Sequence, residues 1–357
     1  MKIKILFIVP SLNSGGAERV ISLLCNNLNK NKFEIILGVL KKEGIFLEQI
    51  SKDVKIVDLK EKHVRNSFFK IKKLILQEKP NIVFSTLSHL NLFISIFKFL
   101  LPKNPIYIGR ESSIVSETLK EEKLKKVIFK KLYTIFYSNL DYIVCQSEYM
   151  ANDLMENYKI KKSKIKVINN PIDIKKIRYL SEEKSEIEVD KNKINLITVG
   201  RLNPVKQHDY LIDMFSKLDE KQYHLYIIGE GSEKIRIEKR IKELGLEENV
   251  TLLGKKKNPF SIVKQCDIFI LTSKYEGFPN VVLEALALNL PILSLRSPGG
   301  ILEIIKEGDN GYFFEGENFE NNIRKVLKIK RNKLKYSIKK YSLKKIIKEY
   351  TEFFIEV

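Results

Sequence analysis

Two glutamates eight positions apart, Glu276 and Glu284, enclose the segment Gly277-Phe278-Pro279-Asn280. The short apolar run from Asp267 to Leu271 before them reads as a buried strand, and Gly-Phe-Pro as a loop entering a helix. Pro279 suits the first helical position, where its missing N–H costs nothing. On that helix Asn280 and Glu284 share one face, and Val282, Ala285 and Leu286 form an opposing apolar stripe. Both acids could then look into the crevice above the carboxyl ends of a parallel sheet, where open α/β folds bind ligands. In a chain this rich in Glu and Lys the plain alternative is solvated surface charge.

Other residue clusters punctuate strand ends. Gly15-Gly16-Ala17-Glu18 follows the apolar run Lys2–Val9, Gly200-Arg201-Leu202 with Lys206 follows Ile194–Val199, and Gly229-Glu230-Gly231-Ser232 follows Tyr223–Ile228. Glycine lets a backbone approach a ligand closely, and a following helix N-terminus offers free N–H groups to an anion. A strand-to-helix glycine turn is also ordinary structural punctuation, and no full Gly-x-Gly-x-x-Gly follows Gly15. Ser297-Pro298-Gly299-Gly300 with Glu303 forms a corresponding late loop.

These motifs need strands to carry them. Lys2–Val9, Phe33–Leu40, Lys55–Leu59, Asn81–Leu87, Ile106–Arg110 and Tyr142–Gln146 are strand-like runs separated by helical stretches. The alternation argues for right-handed βαβ units and a parallel sheet, hence an α/β Rossmann-like domain over residues 1–170. Turn chemistry at Asn169–Asp173 and a polar stretch without periodicity from Ser181 to Lys193 read as a linker, 171–193. A second series, Ile194–Gly200, Tyr223–Gly229, Val250–Gly254, Asp267–Leu271 and Pro291–Leu295, makes a second Rossmann-like domain over 194–331, followed by a basic helical tail over 332–357.

The run Glu276-Gly-Phe-Pro-Asn-Val-Val-Leu-Glu284-Ala285 resembles the Glu-x7-Glu signature of the retaining glycosyltransferases of family 4 (glycosyl transferases group 1). The resemblance implies the GT-B fold: two facing Rossmann-like domains, an interdomain cleft, and a last helix crossing back to the N-terminal, acceptor-binding domain. It implies that Gly15, Gly16 and Gly229 shape the donor site, and that Arg201 and Lys206 grip the donor pyrophosphate. An Arg fork and a Lys point charge stabilise a departing nucleoside diphosphate without a metal. It further implies that Glu284 accepts from the donor ribose hydroxyls, that Glu276 sits against the transferred sugar, and that the backbone of Gly277, Phe278, Pro279 and Asn280 meets sugar and phosphate. The catalytic set is then Glu276, Arg201 and Lys206. Retention by double displacement needs a carboxylate nucleophile at the anomeric carbon, and no residue is compelled into that role. The implied route is a same-face transfer in which the leaving phosphate takes the acceptor's proton. The chain departs from the family where many relatives place a histidine touching the sugar: Ile108-Gly109-Arg110-Glu111 has none, so Arg110, Glu111 or, after another strand, His89 could take that place. Leu12 to Arg19, taken with Glu-Gly-Phe-Pro-Asn, is most similar to relatives that add N-acetylgalactosamine to lipid-linked oligosaccharide.

Composition bounds the rest. The 357 residues, 44% hydrophobic and 30% charged, are enough for two folded domains. The net charge of +20 admits nucleic acid, anionic membrane or anionic small molecules as partners, although a chain drawn from an AT-rich genome carries background lysine. Cys25, Cys145 and Cys266 lie singly in apolar surroundings and read as buried and reduced. No Asp-x-Asp and no metal-ligand spacing occurs, so the expectation is metal-independent transfer without a cofactor, with a nucleotide sugar, UDP-linked, as substrate. A strand-like run beginning at Lys2-Ile3 and the lack of a long apolar stretch lead us to expect a cytoplasmic protein. The segment Glu117–Asn139 alternates lysines with Val127, Ile128, Phe129, Ile135 and Phe136, and Phe68–Leu74 and Phe93–Leu101 add basic-aromatic surface. Such segments suit the anionic inner face of the cell membrane and a glycan or polyprenyl-diphosphate-linked acceptor in bacterial surface-polysaccharide, lipopolysaccharide or protein-glycan assembly. The competing readings are a nucleotide-sugar epimerase of the same architecture, which would act on the donor alone, and a basic nucleic-acid-binding protein, for which no recognition motif exists.

Overall fold

The structure is a computed structural model that describes residues 2–13, 15–121 and 126–357. Ser14 of the first glycine loop and residues 122–125 of the lysine-rich stretch lie outside the described residues. The chain divides into two compact units, Met1–Pro171 with Leu343–Val357, and Ile172–Ser342.

In the first unit seven strands, β1 (Ile3–Val9), β2 (Phe33–Val39), β3 (Lys55–Asp58), β4 (Ile82–Thr86), β5 (Ile106–Arg110), β6 (Tyr142–Cys145) and β7 (Ile165–Val167), form one sheet in the order β3-β2-β1-β4-β5-β6-β7. Every pairing is parallel, with Ile3 opposite Phe33 and Ile5 opposite Ile82. Residues Ile5 to Val9 are wholly buried, as a strand covered on both faces requires. Part of the cover comes from the far end of the chain. The helix Leu343–Glu356 buries Ile346, Tyr350, Phe353 and Phe354 along one stripe. The Phe354 ring meets Phe7, Phe33 and Phe84 edge-on, at centroid distances of 6.4, 6.2 and 5.6 Å.

The second unit holds β8 (Ile194–Val199), β9 (Tyr223–Ile228), β10 (Val250–Gly254), β11 (Ile268–Leu271), β12 (Ile292–Leu295) and β13 (Gly311–Phe314), again parallel, in the order β10-β9-β8-β11-β12-β13. The order reverses between β8 and β11, and between β1 and β4 in the first unit. These are the switch points at which open sheets leave a crevice.

Two boundaries differ from the sequence-based expectation. Residues 171–193 are not a linker, because Ile172 onward folds into the second unit. Asp173 caps the helix Ile174–Ser181 by accepting from the Lys176 backbone N–H, Ile177 and Val189 enter the core, and Arg178 Nε donates to the Ala287 carbonyl at 3.0 Å. A few widely spaced apolar anchors and a cap suffice to fold a stretch too polar to show periodicity. The tail likewise splits. Leu334, Ile338 and Tyr341 stay in the core of the second unit, and only residues from Leu343 onward join the first. Strands β7 and β13, absent from the sequence-based reading, are short edge strands. Pro279 caps rather than begins its helix, with φ −76° and ψ 98°.

Phe354→Ala removes the ring at the centre of this aromatic cluster and should destabilise the protein by about 3–5 kcal/mol. Urea denaturation followed by tyrosine fluorescence should show a lowered midpoint at unchanged slope.

Candidate active site

The turn after β8 is built by close backbone packing. The Gly200 amide donates to the Ile228 carbonyl at 2.9 Å and the Leu202 amide to the Glu230 carbonyl at 3.0 Å, locking the β8 and β9 turns together. A Cβ on Gly229 would sit 1.8 Å from the Gly200 oxygen and one on Gly231 2.2 Å from the Leu202 oxygen, so both glycines are there for this contact. Arg201 projects from the turn as an exposed side chain. Lys206 follows in a loop fastened to the end of β11, since the Thr272 hydroxyl donates to the Lys206 carbonyl at 2.9 Å and the Lys274 amide to the Val205 carbonyl at 2.8 Å.

That fastening brings together two residues 70 positions apart: Lys206 Nζ donates to Glu276 Oε1 at 2.5 Å. The Ser273 hydroxyl, wholly buried, donates to the same oxygen at 2.6 Å. The lysine side chain is 20% and the glutamate side chain 13% exposed, so the pair sits at the floor of the surface and within reach of solvent. Both donors fall on Oε1. Behind Lys206, His208 is buried without a partner for Nδ1, and its pKa falls to about 4 through burial and the neighbouring Lys206 charge. It is a neutral imidazole at pH 7.

The glutamate loop is held by the late glycine loop. The Glu276 amide donates to the Pro298 carbonyl at 3.0 Å, and the Gly300 amide donates to the Glu276 and Gly277 carbonyls, each at 3.1 Å. Gly299 adopts φ +116°, and a Cβ on Gly300 would lie 2.5 Å from the Phe278 ring. The Ser297–Gly300 loop thus acts first as a brace. Phe278 is buried with its ring edge-on to Tyr341 at 5.2 Å, which anchors the loop from the other side. Beyond Pro279 the helix Asn280–Ala287 buries Val282, Leu283, Ala285 and Leu286 and leaves Asn280 and Glu284 half-buried, as their spacing predicts. Ser273 and Thr272 were not singled out in the sequence. Two hydroxyls directly after a buried apolar strand were the available signal.

The remaining candidates lie in the first unit. Gly15 caps the helix Gly16–Asn27 in extended conformation, and a Cβ there would meet only the flexible end of Glu18. His89, at the start of the helix Ser88–Phe97, is exposed at its ring, and partial burial lowers its pKa. Arg110 and Glu111, proposed from sequence as sugar contacts, have no exposed surface at all. Arg110 Nη2 donates to Asn170 Oδ1 at 2.5 Å and Nε to the Tyr350 hydroxyl at 3.3 Å. Glu111 accepts from the Ser88 hydroxyl at 2.6 Å, from Asn91 Nδ2 at 3.2 Å and from the Tyr137 hydroxyl. Burial pushes its pKa up to about 7, with the Ser88 and Asn91 bonds opposing. Both residues stabilise the interior at the end of β5 and do not face a ligand.

Comparison with known proteins fits this arrangement. The model for glycosyl transferases group 1 matches residues 181–346, and that for glycosyltransferase family 4 matches residues 14–176. The chain belongs to glycosyltransferase family 4. Over 97% of its length it is 28% identical to 98% of the Campylobacter jejuni N-acetylgalactosamine-N,N'-diacetylbacillosaminyl-diphospho-undecaprenol 4-alpha-N-acetylgalactosaminyltransferase. Over 66% of its length it is 32% identical to an uncharacterised glycosyltransferase of Methanocaldococcus jannaschii, spanning 61% of that protein. Anabaena HepE, solved in complex with UDP and glucose, superposes with a TM-score of 0.80 at 19% identity, over 99% of this chain and 100% of that one. The fold is therefore GT-B, and the family 4 protein is a glycosyltransferase. Among the described residues of this glycosyltransferase no group of three or more His, Cys, Asp or Glu is placed to hold a metal.

Glu111 makes folding pH-dependent. Its folded pKa of about 7 lies above the ordinary 4.5, so between those values the folded state holds a proton that the unfolded chain releases. Its stabilising contribution is full below the lower value and is lost as pH rises through the upper one. Relative to Glu111→Gln, the wild type should lose up to about 3 kcal/mol between pH 4.5 and 7.5 in paired denaturation curves. Parallel curves for the two proteins would contradict the assignment.

Proposed function

We propose that this glycosyltransferase transfers an N-acetylhexosamine or hexose, with retention and without a metal, from a UDP-sugar to a lipid-diphosphate-linked glycan. The observation that carries the reading is the Lys206–Glu276 contact, which sets a cation for phosphate beside a carboxylate for sugar hydroxyls. Its full-length similarity to a transferase named for a diphospho-undecaprenol acceptor, and the UDP in HepE, support the choice of acceptor and donor.

On this reading Arg201 and Lys206 take the donor diphosphate, supplying positive charge as the glycosidic bond breaks. The N-terminus of the helix Asn280–Ala287 adds its dipole, and Glu284 accepts from the ribose diol. Glu276 orients the sugar through its hydroxyls. The acceptor oxygen enters on the face the diphosphate leaves, and a departing phosphate oxygen takes its proton. Mutating one such group should cost on the order of 10²–10³ in kcat.

The acceptor brings the enzyme to a membrane at the cytoplasmic face. No helix among the described residues is long and apolar enough to cross a bilayer. Yet the helix Lys126–Phe136 buries only Tyr133, leaving Val127, Ile128 and Ile135 exposed beside Lys126, Lys130 and Lys131. Phe69 and Phe99, 79% and 71% exposed, are two further apolar rings that the fold leaves outside its core. Anionic lipid contributes about 1 kcal/mol per well-placed basic residue.

Calorimetry without metal should show UDP-sugar binding, weakened about tenfold by Glu284→Ala. Glu276→Ala and Lys206→Ala should lower transfer by about 10²–10³-fold with EDTA present. Conversion of the donor without acceptor, or transfer abolished by EDTA, would contradict the reading. Separately, Val127→Ser/Ile128→Ser/Ile135→Ser should reduce recovery with anionic liposomes in flotation, and equal recovery with neutral and anionic vesicles would exclude the membrane face.

A further inference from the structure

The strand order β3-β2-β1-β4 sets four carboxyl ends side by side, and over them lies a pocket of about 470 Å³. Each strand end contributes: Ser11 after β1, Lys41 after β2, Lys62, His63 and Arg65 after β3, and His89 after β4. The volume falls in the range of small-ligand sites, and the place is where open α/β sheets bind them.

The walls are built rather than incidental. The Lys41 amide donates to the Pro10 carbonyl at 3.0 Å, the Glu61 amide to the Leu40 carbonyl at 2.7 Å, and the Leu12 amide to the Glu43 carbonyl at 3.0 Å. Gly44, at φ +118°, lets the β2 loop close onto Leu12, where a Cβ would lie 2.0 Å from the Leu12 carbonyl. The three loops are thus stitched edge to edge beneath their side chains.

The charge in the pocket is one-sided. Its two carboxylates are already neutralised, Glu43 by Lys41 at 2.5 Å and Glu61 by Lys70 at 2.8 Å. Lys62 and Arg65 have no ion-pair partner among the described residues, and both are exposed. Two free cations, two imidazole N–H donors and the Ser11 hydroxyl converge without an uncompensated anion. An Arg fork and a Lys point charge together match phosphate oxygens, and imidazole N–H groups donate to the same oxygens.

We propose that this pocket binds the phosphate or diphosphate group of the acceptor, with Lys62, Arg65, His63 and His89 as its donors. The inference rests on the transfer reaction proposed above and extends it by naming where the acceptor's anion is held. The same chemistry admits two sources, a lipid diphosphate headgroup or a soluble sugar phosphate.

The test is calorimetric titration of the full chain, first with UDP and then, with UDP saturating to fill the donor diphosphate site, with inorganic pyrophosphate. The UDP-saturated wild type should bind pyrophosphate, and Lys62→Ala/Arg65→Ala should weaken that binding at least about tenfold. Removal of two lysines elsewhere, Lys335→Ala/Lys339→Ala, should leave it unchanged. Lys62, Arg65 and Lys339 are exposed and Lys335 is half-buried, and unaltered UDP binding in each variant confirms an intact fold. Undecaprenyl diphosphate in detergent micelles binding more tightly than N-acetylgalactosamine 1-phosphate assigns the site to a lipid headgroup, and the reverse assigns it to a soluble phosphate. A UDP-saturated wild type that binds no pyrophosphate, or binding indifferent to Lys62 and Arg65, overturns the pocket assignment and leaves the donor reading standing. A wild type that binds no UDP overturns the donor reading, and the pyrophosphate titration of the two variants still decides the pocket.

Discussion

In both sheets every strand runs parallel to its neighbours, and the placement of each reactive group follows from that constraint. A parallel strand can be re-entered only from the end at which the last one began, so every connection crosses back over the sheet. All the carboxyl-end loops of a sheet then emerge at one edge. Lys206 and Glu276, 70 residues apart, meet because β8 and β11 are neighbours across the switch point. Lys41, Arg65 and His89 line one pocket because β2, β3 and β4 end around β1. Chain distance says nothing about either cluster, and strand order accounts for both.

The Lys206–Glu276 contact is a poor source of stability for its own sake. Two charges a few ångströms apart attract by about 4 kcal/mol at an effective dielectric of 20, but partial burial takes back much of that through lost hydration. What the contact does supply is position. A lysine side chain has some 2 kcal/mol of rotamer entropy to lose, and here that loss is met before any ligand arrives. Ser273 and the brace from Gly300 fix the carboxylate in the same way. On the proposed reading, a diphosphate reaching Lys206 exchanges one anion for another around an ammonium already in place, which is the geometry that makes an electrostatic site effective without reorganisation.

Much of this was legible in the sequence, for identifiable reasons. Buried parallel strands are near-continuous apolar runs, so all strands except β7 and β13 could be read directly. Those two are edge strands of three and four residues, with partly exposed positions that blur the run. The Glu276–Glu284 segment was legible because its loop and helix signals coincide with its spacing. Arg110 and Glu111 were misread because their identity as charged residues suggests exposure, whereas burial depends on partners brought from elsewhere: Asn170 and Tyr350 for one, Ser88, Asn91 and Tyr137 for the other. No local pattern announces such a network. Residues 172–193 were hidden for the converse reason, since the buried anchors Ile172, Ile177 and Val189 are too widely and unevenly spaced to make a period.

Net charge shows the same limit from the other side. A surplus of +20 is a property of the whole chain, and much of it is dispersed over surface lysines. Exposed pairs such as Lys239 with Glu243 or Lys348 with Glu352 contribute at most about 1 kcal/mol and direct nothing. Charge becomes informative where its counter-charges are used up and its donors are held close together on a rigid frame. Lys62 and Arg65 meet that condition, because Glu61 and Glu43 are committed to other lysines and the loops beneath are tied by backbone bonds. The lysines of the helix Lys126–Phe136 meet a weaker form of it, flanked by apolar side chains that the fold leaves outside its core. On the two proposals made above, the first setting holds an anion through directed hydrogen bonds and the second holds a surface loosely through its mean field. An enzyme whose acceptor carries a compact phosphate on a long apolar chain has use for both, one to fix the reacting end and the other to keep the chain's membrane within reach.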